Sequence, residues 1–79
     1  MYGSIISNPN KIRILNSIKR KKSDIKSISK SVRLPEKILE SLLRELIKDG
    51  FVEEREGMYG ITEEGLKALK YAEGIRYER

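Results

Sequence analysis

The sequence predicts a mainly α fold with a small β-hairpin: a three-helix core, a short two-stranded hairpin and a C-terminal helix. Three observations lead there. A segment striped with apolar residues runs from Pro35 and stops at Asp49-Gly50. Two short strand-like runs, Phe51 to Arg55 and Met58 to Ile61, then flank a Glu56-Gly57 turn. Thr62-Glu63-Glu64-Gly65 opens a further helix directly after them.

The elements follow in order. Asn8-Pro9 starts the first helix, with Asn8 as N-cap and Pro9 in the first helical position, where a missing N–H costs nothing. Ile12, Ile14, Leu15 and Ile18 share one side of it. Lys19-Arg20-Lys21-Lys22 follows and suits the negative end of a helix dipole. Ser23 or Asp24 caps a short second helix with Ile25, Ile28 and Val32 at i, i+3, i+7. Arg33-Leu34 is the turn. Pro35 takes the first position of the third helix, which leaves Leu34, a poor cap, as its N-cap.

In the third helix Ile38, Leu39, Leu42, Leu43, Leu46 and Ile47 form a broad apolar stripe that can centre a small core. Gly50 ends it in the left-handed conformation. The hairpin turns at Glu56-Gly57. Thr62 then caps the fourth helix, Glu63 and Glu64 sit at its positive end, and Ile61 and Leu66 occupy the positions of a hydrophobic staple. Leu66, Leu69 and Ala72 are expected to close the core. Gly74 is expected to end the helix and leave Ile75 to Arg79 as a loose tail. One domain is expected over residues 1–79, with an ordered core over residues 9–73.

Composition narrows the function. The 79 residues contain neither Cys nor His. Disulfides, thiolate or imidazole metal sites and Ser-His chemistry are therefore excluded within the chain. Nothing pairs the carboxylates and lysines with a nucleophile or a Gly-rich phosphate loop, so neither an enzyme nor a cofactor is expected. The net charge of +5 favours a polyanionic partner. No apolar run approaches membrane-spanning length, and the N-terminus lacks a secretory pattern. A cytoplasmic protein is expected. Abundant charge and Ile, with no Gln or Cys, point towards a thermophile.

Helix, turn, helix, hairpin and helix in this order resemble the winged helix-turn-helix transcription regulators, especially small archaeal and bacterial ones. Ile25 to Val32 resembles the family's second helix and Pro35 to Asp49 its recognition helix. Leu46-Ile47-Lys48-Asp49-Gly50-Phe51-Val52 resembles the family's close of that helix: leucine, two or three polar residues, glycine, leucine-valine. Tyr59-Gly60-Ile61-Thr62-Glu63-Glu64-Gly65 resembles the tyrosine, x, leucine, threonine, x, x, glycine that follows the wing, common in regulators of the multiple-antibiotic-resistance and phenolic-acid-response types. The resemblance covers residues 9 to 73. It implies double-stranded DNA as partner, with the second helix across the phosphate backbone and the third in the major groove. A homodimer on a two-part site is usual for the class. The chain departs from the family in three ways. No small-molecule effector domain is evident, and no long C-terminal helix offers a coiled coil. The hairpin tip carries Glu53, Glu54 and Glu56 with Arg55 as its only cation, which weakens minor-groove reading by the wing.

Charge is unevenly placed. Residues 1–34 hold nine Lys/Arg against one acid, and residues 35–79 hold eight against eleven. The third helix is net negative, which argues against placing it on phosphates. Its helical period changes that reading. Lys37, Ser41, Arg44 and Lys48 fall together opposite the apolar stripe, and the acids fall to the sides. Glu40 is placed to pair with Arg44 at i+4. On the second helix Lys26, Lys30 and Arg33 form a basic stripe beside Ile25, Ile28 and Val32. The expected DNA-binding set is Lys21, Lys22, Lys26, Lys30, Arg33, Lys37, Ser41, Arg44, Lys48 and Arg55. A charged outward face is often only a solvated face, and Tyr59 is either packing or a DNA contact. Tyr71 and Ile75 lie together as exposed tail residues or a dimer contact. The alternative function is a protein-interaction module in a transcription or replication assembly, which the acidic wing favours. Structured RNA ranks below both, because exposed aromatic pairs for stacking are missing.

Overall fold

The apolar period of the third predicted helix becomes the centre of the molecule. The structure, a computed structural model, describes residues 3–77, with side chains described outside positions 4, 6 and 74–77. Its elements are α1 (Gly3–Ile6), α2 (Pro9–Ile18), β1 (Ser23–Asp24), α3 (Ile25–Val32), α4 (Glu36–Lys48), β2 (Val52–Arg55), β3 (Met58–Ile61) and α5 (Glu63–Tyr77). The core joins Ile14, Leu15 and Ile18 of α2, Ile28 and Val32 of α3, Leu39, Leu43 and Leu46 of α4, and Phe51, Val52, Leu69 and Ala72 beyond.

Local chemistry sets most boundaries. The Asn8 side chain accepts the Asn10 N–H at 3.1 Å and starts α2. Asp24, rather than Ser23, caps α3: its Oδ1 accepts the Ser27 N–H at 3.0 Å. Hydrogen bonding by the Ser27 side chain first, and by its backbone second, holds the Asp24 carboxyl below its ordinary value. At the end of α4, Gly50 has φ 85°. Its N–H reaches the Ile47 carbonyl at 3.0 Å and the Phe51 N–H reaches that of Leu46 at 2.9 Å. These are the two bonds of a Schellman ending, with the buried Phe51 against Leu46 as its apolar contact. Glu56 and Gly57 both have positive φ, 53° and 81°, as a two-residue type I′ turn requires.

Several expectations need correction. A short helix, α1, precedes the first predicted one, and Ile5 on it is fully buried. One turn of helix has too little periodic pattern to be read in advance. The hairpin is part of a three-stranded antiparallel sheet of order β1-β3-β2, in which Ser23 pairs with Tyr59 and Asp24 with Met58. The extended conformation Asp24 needs as a helix cap also presents its backbone to the free edge of β3. The cap of α4 is Pro35, one residue later than expected, because its extended ψ of 145° delays the first helical residue to Glu36.

The stripe on α4 is narrower than its sequence pattern. Leu39, Leu43 and Leu46 are buried and Leu42 is partly so, but Ile38 and Ile47 lie at the flanks, 50% and 39% exposed. On α5 the packed side is displaced from the expected one: Ala68, Leu69 and Ala72 are buried, while Leu66 is 42% exposed. The cause is Gly65, whose backbone presses so closely on Phe51 and Ile61 that it becomes the contact point itself. The buried line then runs i, i+3, i+4, i+7 from Gly65, and Leu66 turns out of it. Finally, α5 continues through Gly74 to Tyr77. A glycine inside a helix costs only about 1 kcal/mol. Residues 78 and 79 of the expected tail lie outside the described residues, as does the side chain of Ile75.

Candidate nucleic-acid interface

The two helices of the motif are joined by a hydrogen-bonded turn. Arg33 is left-handed, with φ 61° and ψ 45°, a conformation that costs a side-chain-bearing residue roughly 1 kcal/mol. It reverses the chain sharply between α3 and α4. Its N–H donates to the Ser29 carbonyl at 2.8 Å, and the Ser29 hydroxyl donates to the Leu34 carbonyl at 2.6 Å. From α2, Arg13 donates through Nη2 to the Val32 carbonyl at 2.5 Å. A cation thus meets the negative end of α3 and ties it to α2.

On this frame Lys26, Lys30 and Arg33 are exposed along α3 and its turn. Lys37, Ser41, Arg44 and Lys48 are all exposed on α4, opposite Leu39, Leu43 and Leu46. None of these seven side chains is in an ion pair among the described residues. Arg44 therefore does not pair with Glu40, although the spacing allows it. The other three cations of the expected set lie elsewhere. The stem of Lys22 rests on Gly60, its Cγ 3.1 Å from where a β-carbon would stand. Gly60 alternates with Tyr59 along β3, so Lys22 lies on the other sheet face from Tyr59. Arg55 is opposite Met58 and shares the Gly60 face by the same alternation. Lys21 is exposed in the connection after α2.

Tyr59 marks the junction of wing and α4. Burial first, then the charges of Glu54 and Glu40, push its phenol above the ordinary value, while Arg44 opposes them. Glu40 and Arg44 of α4 are thus among the charges that act on this tyrosine. Glu54 is itself engaged, its Oε2 accepting the Gly57 N–H at 2.8 Å.

Two residues in this frame were not expected from sequence. Arg13 is one; Lys11 is the other. Lys11 is only 4% exposed and its Nζ lies 2.8 Å from Oε1 of Glu45 on α4. The pair helps α4, whose three cations and three acids balance, to present a positive ridge, since one of those acids is turned to α2 and neutralised there. Only a lysine on the otherwise apolar side of α2 hinted at it. Glu45→Ala is expected to lower stability by about 1–2 kcal/mol, less than a fully buried pair because Glu45 meets solvent. Lys11→Met added to Glu45→Ala should recover most of that loss in urea unfolding. A full loss in the double variant would mean that the pair does not hold α4.

The helix pair, its turn and the three-stranded sheet with a hairpin wing define a winged helix-turn-helix protein. A family model described as winged helix-turn-helix matches residues 11–79, and the chain belongs to that family. It is 37% identical over 68 residues to an uncharacterized HTH-type transcriptional regulator of Methanocaldococcus jannaschii. That match takes in 75% of this chain and 61% of the archaeal protein, so the chain spans less than two thirds of its relative's length. A solved structure of PigF with SAH shares the fold, with a TM-score of 0.71 at 15% identity over 96% of this chain and 28% of PigF. Among the described residues no helix is long and apolar enough to cross a membrane.

Proposed function

We propose that the protein is a double-stranded-DNA-binding transcription regulator whose α4 enters the major groove. The family and the archaeal relative support a DNA-binding regulator in general. The observation that carries the finer reading is the α4 ridge, with three exposed cations and a hydroxyl free of ion pairs on the side away from the core. Lys37, Ser41 and Arg44 face base edges. Lys26, Lys30 and Arg33 on α3, with Lys21 and Lys48 at the margins, hold phosphates. Lys22 and Arg55 act through the general positive field rather than by contact. A symmetric pair of chains on a two-part site is the form this motif favours, and sedimentation with and without duplex measures it.

The experiment is a pair of substitutions titrated against duplex DNA. Lys30→Ala should weaken binding to all sequences alike and make the salt slope shallower by about one unit. Arg44→Ala should instead erode discrimination at one base position by about 1–3 kcal/mol. Equal effects of both on every sequence would remove base reading by α4. The exposed acids of the wing, Glu53, Glu54 and Glu56, favour a second reading, in which the wing meets a protein partner. NMR shift mapping separates the two: duplex perturbs α3 and α4, a protein partner perturbs the wing.

A further inference from the structure

The carboxylates around the α4 ridge are not alike. Glu45 is paired with Lys11. Glu54 accepts the Gly57 N–H. Glu36 sits in the first turn of α4, where the helix dipole favours a negative charge. Glu40 has none of these compensations. It is exposed in mid-helix, beside Arg44, and makes no hydrogen bond or ion pair among the described residues. Its charge is felt at Tyr59 of the wing.

An unpartnered carboxylate facing a polyanion opposes binding unless it meets a hydrogen-bond donor there. The major groove offers two such donors, the amino groups of cytosine and adenine. The adenine amino group is flanked by two acceptors that repel a carboxylate, its own N7 and the paired thymine's O4; the cytosine amino group has the paired guanine's O6 on one side only, and C–H on the other. A carboxylate therefore selects cytosine. We propose that Glu40 is a base-reading residue, its carboxylate accepting from the amino group of a cytosine while Arg44 donates to a guanine nearby. This rests on the duplex-DNA reading above. Four residues along a helix advance about 6 Å and turn only about 40°. At roughly 3.4 Å per base pair, Glu40 and Arg44 reach bases within about two pairs of each other. The preferred half-site contains a cytosine and a guanine at that spacing.

The test is selection from random duplexes by the wild type, Glu40→Gln and Glu40→Ala, followed by titration of the selected site with each base at the cytosine position. The wild type should prefer cytosine there by roughly 5- to 150-fold. Glu40→Gln should move the preference to adenine, because an amide can accept from the amino group and donate to N7. Glu40→Ala should lose preference at that position and keep the guanine. Identical preferences in all three proteins, with both variants binding every duplex more tightly by one factor, would show that Glu40 only repels phosphate and would overturn the proposal. A wild type without a cytosine preference overturns it as well. A wild type with no affinity for any duplex at low salt removes the DNA reading itself, a separate result. Thermal unfolding checks the variants, and an exposed residue without partners should leave it unchanged.

Discussion

Raising the salt from about 50 to about 200 mM is expected to weaken duplex binding roughly 250- to 1,000-fold. The proposed phosphate contacts come from Lys21, Lys26, Lys30, Arg33 and Lys48, all of them exposed and outside any ion pair among the described residues. If about four to six phosphates are neutralised per monomer, log affinity falls against log salt with a slope of about −4 to −5, because each contact releases condensed counterions. The acidic wing contributes no such release. The slope therefore reports the basic first half together with the outer ridge of α4. Fluorescence anisotropy on one duplex across a salt series measures it. A slope shallower than about −2 would leave too few phosphate contacts for this docking.

Gly65→Ala should destabilise the fold by about 3 kcal/mol or more, the upper range for overpacking. A β-carbon there would stand 2.2 Å from the Phe51 carbonyl oxygen and 2.7 Å from Cγ1 of Ile61. The carbonyl cannot simply move, since it already accepts the Thr62 N–H at 3.0 Å. Thr62 in turn donates its hydroxyl to the Gly50 carbonyl at 2.6 Å and accepts the Gly65 N–H at 3.0 Å. Shifting α5 outward would strain this whole latch between the end of α4 and the start of α5. Helix propensity predicts the opposite sign, because alanine is favoured over glycine by about 1 kcal/mol. The substitution thus decides between local preference and packing. For a domain of this size the loss corresponds to a fall in Tm of roughly 12 °C or more. Gly3→Ala, with open space around its β-carbon, is the control and should leave the melting temperature nearly unchanged. An unchanged or raised midpoint for Gly65→Ala would contradict the close approach.

The two predictions draw on different kinds of information. The salt response depends mostly on features visible in the residues: the spacing of Lys37, Ser41, Arg44 and Lys48, and the cations of α3. The Gly65 effect was invisible there, where the residue read only as part of the opening of a helix. The same division runs through the candidate site. The α4 ridge follows from helical period alone. The neutralisation of Glu45 by Lys11, the freedom of Arg44 from Glu40 and the position of Lys22 over Gly60 do not.

By itself, the sequence determined where α2, α3 and α5 start, where α4 stops and which side of α4 faces outward. Caps at Asn8, Asp24 and Thr62, the glycine stop at Gly50 and the Glu56-Gly57 turn act over at most five residues, so their chemistry is complete within a short window. Only the tertiary structure decided that Ser23-Asp24 adds a third strand, that Ile5 enters the core, that Leu66 leaves it, and which acids around α4 are neutralised. Each of these depends on groups brought together from distant parts of the chain, where the outcome is set by packing distance and charge proximity rather than by the preferences of neighbouring residues.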